Sequence, residues 1–185
     1  MSEIPEELRE EVNKWRNFEG KRPDNIIKPG PGQESIWDYP RPPKVELFTK
    51  KIRVEFADKV IAETTKSYKV METSSPPCYY IPQEDIEMGF LFRSAYKTLC
   101  EWKGSARHWS VKVSHKISKN AGWSYPQPWE GFHQIKDHIA FYAGRVDSCF
   151  IEDEKVMPQA GDFYGGWITQ DILGPFKGDP GTEHW

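Results

Sequence analysis

Ile52-Arg53-Val54-Glu55-Phe56-Ala57-Asp58-Lys59-Val60-Ile61-Ala62-Glu63-Thr64 decides the fold class. Apolar and polar side chains alternate over 52–56, Asp58-Lys59 can turn the chain, and 60–64 returns, which predicts a β-hairpin. Similar short runs recur at 67–73, 79–81, 90–92, 98–102, 107–117, 139–142 and 148–151. Ser75-Pro76-Pro77 and Pro82 punctuate them, because proline removes a ladder donor. Strands at these intervals predict a mostly β protein of bent antiparallel sheets or a partly open barrel.

The two ends read differently. Residues 5–18 predict a helix: Pro5 suits a first turn, Glu6 and Glu7 suit the positive end of the dipole, and Leu8, Val12 and Trp15 share a face. Residues 21–43 are rich in Pro and Gly and should be extended, yet Ile36, Trp37 and Tyr39 are set into them. Rings of that size are costly to expose, so the segment should lie against the body. After Met157, glycines and aromatics alternate irregularly, as in a tail wrapped over the surface and held by rings. The expected organisation is an N-terminal helix and extended arm (1–33), a β domain (34–157) and a C-terminal tail of the same domain (158–185). A short helical turn is expected within 132–137.

Composition narrows the function classes. With 25 Lys+Arg against 28 Asp+Glu, the 185-residue chain carries −3, unlike a general nucleic-acid binder. No apolar run approaches the roughly 18 residues that a membrane span needs. The first residues, Met1-Ser2-Glu3-Ile4-Pro5-Glu6-Glu7, are acidic where a secretory leader would be basic and then apolar. Cys78, Cys100 and Cys149 form neither a CxxC half-site nor a disulfide framework. A soluble cytoplasmic protein is expected, with no metal centre. His133 and His138 lack a third ligand, and Glu84-Asp85-Ile86-Glu87 reads either as a divalent-cation cluster or as the first turn of a short helix. GxGxxG, Walker A and HExxH patterns are absent.

Charge is unevenly spread. Residues 1–20 carry −3, 151–185 carry −5, and 21–150 carry +5. Seven bases (Arg93, Lys97, Lys103, Arg107, Lys112, Lys116, Lys119) and one acid, Glu101, fall within 93–119. Such a face either blunts a sheet edge or attracts an anion.

Alternation sorts the middle of that stretch. Thr98, Cys100 and Trp102 share one face. Arg107, Trp109, Val111, Val113 and His115 share the apolar face of the next strand, while His108, Lys112 and Lys116 point away. On this reading Cys100 and Trp102 look inward towards Trp109, Arg107 sits at the mouth of the interior, and His108 lies outside. Gly104 permits a tight turn that can aim Lys103 at a phosphate or carboxylate. The rings of Trp123-Ser124-Tyr125-Pro126-Gln127-Pro128-Trp129 form a rigid wall, either a lid over the core or one side of a ligand slot. The expected site is a concave pocket lined by Trp37, Tyr80, Trp102, Trp109, Trp123 and Tyr125. Arg41, Lys103 and Arg107 would receive the acidic group of a small anionic molecule. The residues name no cofactor and no oligomeric state, and they leave open whether the protein is an enzyme.

Several stretches in order resemble the family catalogued as domain of unknown function 427. They are Glu34-Ser35-Ile36-Trp37-Asp38-Tyr39-Pro40-Arg41-Pro42-Pro43, Pro76-Pro77-Cys78-Tyr79-Tyr80-Ile81-Pro82, Thr98-Leu99-Cys100-Glu101-Trp102-Lys103-Gly104-Ser105-Ala106 and Asn120-Ala121-Gly122-Trp123-Ser124-Tyr125-Pro126. Phe163-Tyr164-Gly165-Gly166-Trp167 and Gly174-Pro175-Phe176-Lys177-Gly178 are similar to an extension found in some members. The resemblance implies a β-tent architecture, broadly like methionine sulfoxide reductase B and its zinc-binding relatives, whose CxxC pairs are missing here. It also implies a nucleotidyltransferase-like label. That chemistry needs carboxylates holding metal and a phosphate-binding loop, and neither is visible in the residues. Two alternatives to the anion pocket follow: thiol or redox chemistry at Cys100, where Lys103 and Arg107 would favour the thiolate unless the cysteine is a small buried hydrophobe, and a non-catalytic protein-interaction module.

Overall fold

The structure is a computed structural model that describes residues 4–17 and 20–182. One α-helix, α1 (Arg9–Arg16), follows a 3-10 turn at Glu6–Leu8, as the N-terminal pattern predicts; Phe18 lies outside the described residues. The strands are β1 (Glu34–Ser35), β2 (Lys44–Phe48), β3 (Ile52–Phe56), β4 (Lys59–Thr64), β5 (Ser67–Glu72) and β6 (Ser75–Tyr80). They continue with β7 (Leu91–Cys100), β8 (Gly104–Val113), β9 (Lys116–Ser124), β10 (Ile139–Phe141) and β11 (Ser148–Ile151). Four two-residue strands complete the set: β12 (Glu154–Lys155), β13 (Met157–Pro158), β14 (Trp167–Ile168) and β15 (Ile172–Leu173). The protein is mostly β, built from several antiparallel sheets that form no closed barrel among the described residues.

The β3–β4 hairpin forms where alternation places it, but its turn is one residue earlier than expected. Ala57 and Asp58 both take left-handed backbone (φ 49° and 60°), which matches the twist of the flanking strands. The run 107–117 is not one strand. The chain reverses at Ser114-His115, with Ser114 at φ 53°, and returns as β9. That turn contains none of the Gly, Asn or Pro residues that usually announce one.

Two sheets enclose the main core. Ile52, Val54 and Phe56 of the β12-β11-β3-β4 sheet meet Trp109, Val111 and Val113 of the β10-β9-β8-β7 sheet. Burying each aliphatic side chain stabilises the fold by about 1.5–3 kcal/mol. The second sheet is covered on its other face too, where Ala106, Trp123 and Ala140 pack with Tyr80 and Val70 of the β2-β5-β6 sheet.

Arm and tail hold one another. β1 pairs in parallel with β15, and Ile36, Trp37 and Ile172 form a small cluster of their own. The tail is more than a surface wrap, because Trp167 is buried in the main core and its indole donates to the Phe141 carbonyl at 2.8 Å. Gly166 lets the tail pass: a Cβ there would lie 2.5 Å from the Pro76 carbonyl oxygen. Gly166→Ala should therefore cost about 1–3 kcal/mol in urea unfolding, and a cost under about 0.5 kcal/mol would show that the crossing is slack.

Candidate functional site

A cavity of about 390 Å³ lies between the β2-β5-β6 sheet, the β7–β8 turn and the two chain ends. Alternation along β6 turns Cys78 and Tyr80 towards it, while Tyr79 enters the main core. β5 contributes Val70 and Glu72, β7 contributes Thr98, Leu99 and Cys100, and Trp123 of β9 and Tyr125 just beyond that strand complete this side. α1 and the tail supply the remaining walls, including Val12, Trp15, Phe163 and Tyr164. The helix is held by Arg16, whose Nε donates to the Glu101 carbonyl at 2.8 Å and whose guanidinium lies 5.2 Å from the Trp102 ring.

The hairpin register corrects the expected faces. Cys100 pairs with Gly104 and Thr98 with Ala106, so an odd-length connection, Glu101-Trp102-Lys103, carries even-numbered residues of both strands onto one side. Cys100 therefore faces the side of Ala106 and His108, not that of Trp109. His108 is buried rather than outside: it stands 3.0 Å from the Thr98 hydroxyl, between the rings of Tyr96 and Tyr142. Arg107 does share a face with Trp109, as expected, but it is exposed on the sheet face opposite the cavity.

Of the residues expected to converge, Arg41, Tyr80, Cys100, Lys103, Trp123 and Tyr125 line this cavity. Trp37 does not; its indole donates to the Pro175 carbonyl in the arm–tail cluster. Trp109 belongs to the main core and donates to the Ser124 hydroxyl. Trp102 stands behind the wall and donates from Nε1 to Glu72 Oε1 at 3.1 Å.

Glu72 is the charged hub that the strand pattern did not single out. Arg41 Nη2 lies 3.8 Å from Oε1, and Lys103 Nζ lies 3.9 Å from Oε2. Arg41 also stands 4.0 Å from Glu101. All three separations exceed a hydrogen bond. Burial opposes charge on Lys103, but the field of Cys100 and Glu72 holds its ammonium above the usual lysine range. Over the whole wall, Glu11, Glu72 and Glu101 face Arg41, Lys103 and Lys177, so the formal charges balance. The expected positive excess is therefore absent from the cavity wall.

The surroundings of both cavity thiols disfavour the thiolate. Burial pushes Cys78 up to about 12 and raises Cys100 as well, against the opposing pull of Lys103. Arg107, on the far face, contributes nothing to activating the Cys100 sulfur. Burial, with help from the Arg145 charge, lowers His108 to about 4, and its Nδ1 is buried without a hydrogen-bond partner. Among the described residues, no group of three or more His, Cys, Asp or Glu is placed to hold a metal ion. Glu84 and Asp85 form part of a 3-10 turn, and Asp85 accepts a hydrogen bond from Thr64.

A mostly β scaffold with a walled cavity and a buried lysine is thus the class of protein in hand. A family model, NTP_transf_9, described as domain of unknown function (DUF427), matches residues 44–152, more than half of the chain, and the chain belongs to that family. No curated relative matches it. No helix among the described residues is long and apolar enough to cross a membrane.

Two outcomes follow. At neutral pH, iodoacetamide should modify Cys78 and Cys100 at least about tenfold more slowly than an unperturbed peptide thiol, since only the thiolate reacts; ordinary rates read by mass spectrometry would contradict the burial argument. His108 binds a proton more weakly folded than unfolded, so its contribution is intact above pH 6.5 and lost as pH falls towards 4. Urea unfolding should show a loss on the order of 2–3 kcal/mol across that window, and His108→Gln should flatten it. An unchanged slope would assign the acid sensitivity elsewhere.

Proposed function

We propose that the cavity binds a small molecule with an apolar or aromatic body and a single acidic group. Lys103 carries this reading. Its ammonium is nearly buried in the wall, and its nearest carboxylate stands 3.9 Å away, too far for a hydrogen bond. Three donors on a desolvated ammonium call for acceptors at closer range, and an incoming carboxylate or phosphate monoester supplies them. Arg41 reinforces the same end of the cavity, while Tyr80, Trp123 and Tyr125 offer ring faces for the body of the ligand.

Charge balance sets the ligand class. With as many carboxylates as cations in the wall, a single acidic group beside Lys103 is accommodated, whereas the several charges of a nucleoside triphosphate would meet Glu72 and Glu101 unscreened. The cavity volume lies at the small end of the usual range for such sites. Three unpaired cysteines suit a reducing, cytoplasmic setting.

Thermal denaturation with millimolar indole-3-acetate, phenylacetate or adenosine monophosphate tests the reading. At least one acid should raise the wild-type Tm by about 2 °C or more, neutral phenylacetamide should not, and Lys103→Met should abolish the rise. Absence of any acid-dependent rise, or an equal rise in the variant, would defeat the proposal.

A further inference from the structure

The cations missing from the cavity are gathered elsewhere. Lys97 and Arg107 face each other directly across the β7–β8 ladder, and Arg93 pairs with Trp109 on the same face, its guanidinium 5.7 Å from the indole ring. All three side chains are exposed, and among the described residues none forms an ion pair. Like charges placed opposite one another destabilise a sheet. Edge protection accounts for lysines on an outer strand, and Lys97 is on one. It does not account for Arg107, which lies on an inner strand between β7 and β9.

The same strand has a free side. β7 is the outermost strand of its sheet, and beyond its ladder with β8 the backbone of residues 97–100 makes no hydrogen bond among the described residues. The bulge between Arg93 and Lys97 ends regular pairing on one side, and the turn at Glu101 ends it on the other. A regular window of four residues, about 13 Å long, is left beside the cationic cluster.

We propose that this edge receives an extended acidic peptide segment as an added strand. Its backbone would pair with residues 97–100, and its acidic side chains, on the Lys97 face, would meet Lys97, Arg107 and Arg93. Residues on the alternate face would lie beside Thr98 and Cys100, where β-branched side chains fit. Main-chain pairing supplies affinity and the charged face supplies selectivity. The proposal does not rest on the cavity's ligand, although residues 98–100 of β7 also wall the cavity.

The test uses the full chain and a fluorescein-labelled peptide of three Glu-Val repeats, amidated so that no terminal carboxylate can occupy Lys103. Fluorescence anisotropy at low salt should show saturable binding that Lys103→Met leaves unchanged. Lys97→Glu with Arg107→Glu should weaken it at least tenfold, and N-methylation of alternate peptide amides should do the same. Absent binding, binding indifferent to either change, or tighter binding of an oligothymidylate of equal charge would overturn the proposal. A separate readout guards against a purely structural role: Lys97→Gln with Arg107→Gln removes the repulsion, so Tm should stay level or rise. A fall in Tm would assign the cations to the fold and also overturn it.

Discussion

The pairing of Cys100 with Gly104 governs the direction of every side chain in the longest hairpin of the protein. Three residues connect the strands, and Gly104 accepts φ 93° with the Trp129 indole packed where a Cβ would stand, 3.0 Å away. The Trp129 amide in turn donates to the Lys103 carbonyl at 3.2 Å, tying the turn to the aromatic wall that follows β9. From this one closure Thr98, Cys100, Ala106 and His108 go to one side of the sheet and Arg107 and Trp109 to the other. Lys103, carried by the turn itself, is brought to the cavity independently of either strand face.

Charge inside the protein is managed by sharing. Glu72 answers Trp102, Arg41 and Lys103 together, at distances that hold the ions near one another without saturating their hydrogen-bonding capacity. Arg41 reaches this hub because the arm is pinned nearby. Glu34 accepts from the Tyr39 hydroxyl and pairs with buried Lys69, both at 2.6 Å, and the Thr73 hydroxyl donates to the Tyr39 carbonyl. Removing Glu34 would leave the buried Lys69 ammonium without its acid, the costly case for a charge out of water. The arm is therefore part of the site's framework despite having almost no regular structure.

Both chain ends complete the cavity. An eight-residue helix is too short to persist by itself in water, so α1 depends on buried Val12 and on Arg16 lying over Trp102 and Trp129. The tail crosses at Gly165 and Gly166, where any side chain would collide with Trp123 or the Pro76 carbonyl. Close backbone approach, rather than ring packing alone, brings Phe163 and Tyr164 to the cavity wall.

Alternation in 52–56 and 60–64, the broken rhythm of Pro and Gly, and the acidic amphipathic start were enough to establish a mostly β protein with a helical N-terminus and apposed ends. Those features depend on local sterics and on which side chains avoid water, and both are written in nearest-neighbour order. The sequence also marked Arg41, Tyr80, Lys103, Trp123 and Tyr125 as residues of interest from ring density and charge. It could not settle the facing of Cys100 and His108, because parity across a turn depends on the number of residues left unpaired, and only the closed hairpin shows that number. Ser114-His115 left only a faint turn signal, since serine enters the left-handed region less readily than glycine or asparagine. The separation of Arg107 from Lys103, and the choice of Glu72 as the acid shared by Arg41 and Lys103, belonged to tertiary structure alone: charges about thirty residues apart in sequence meet only after two sheets have chosen which faces to bury.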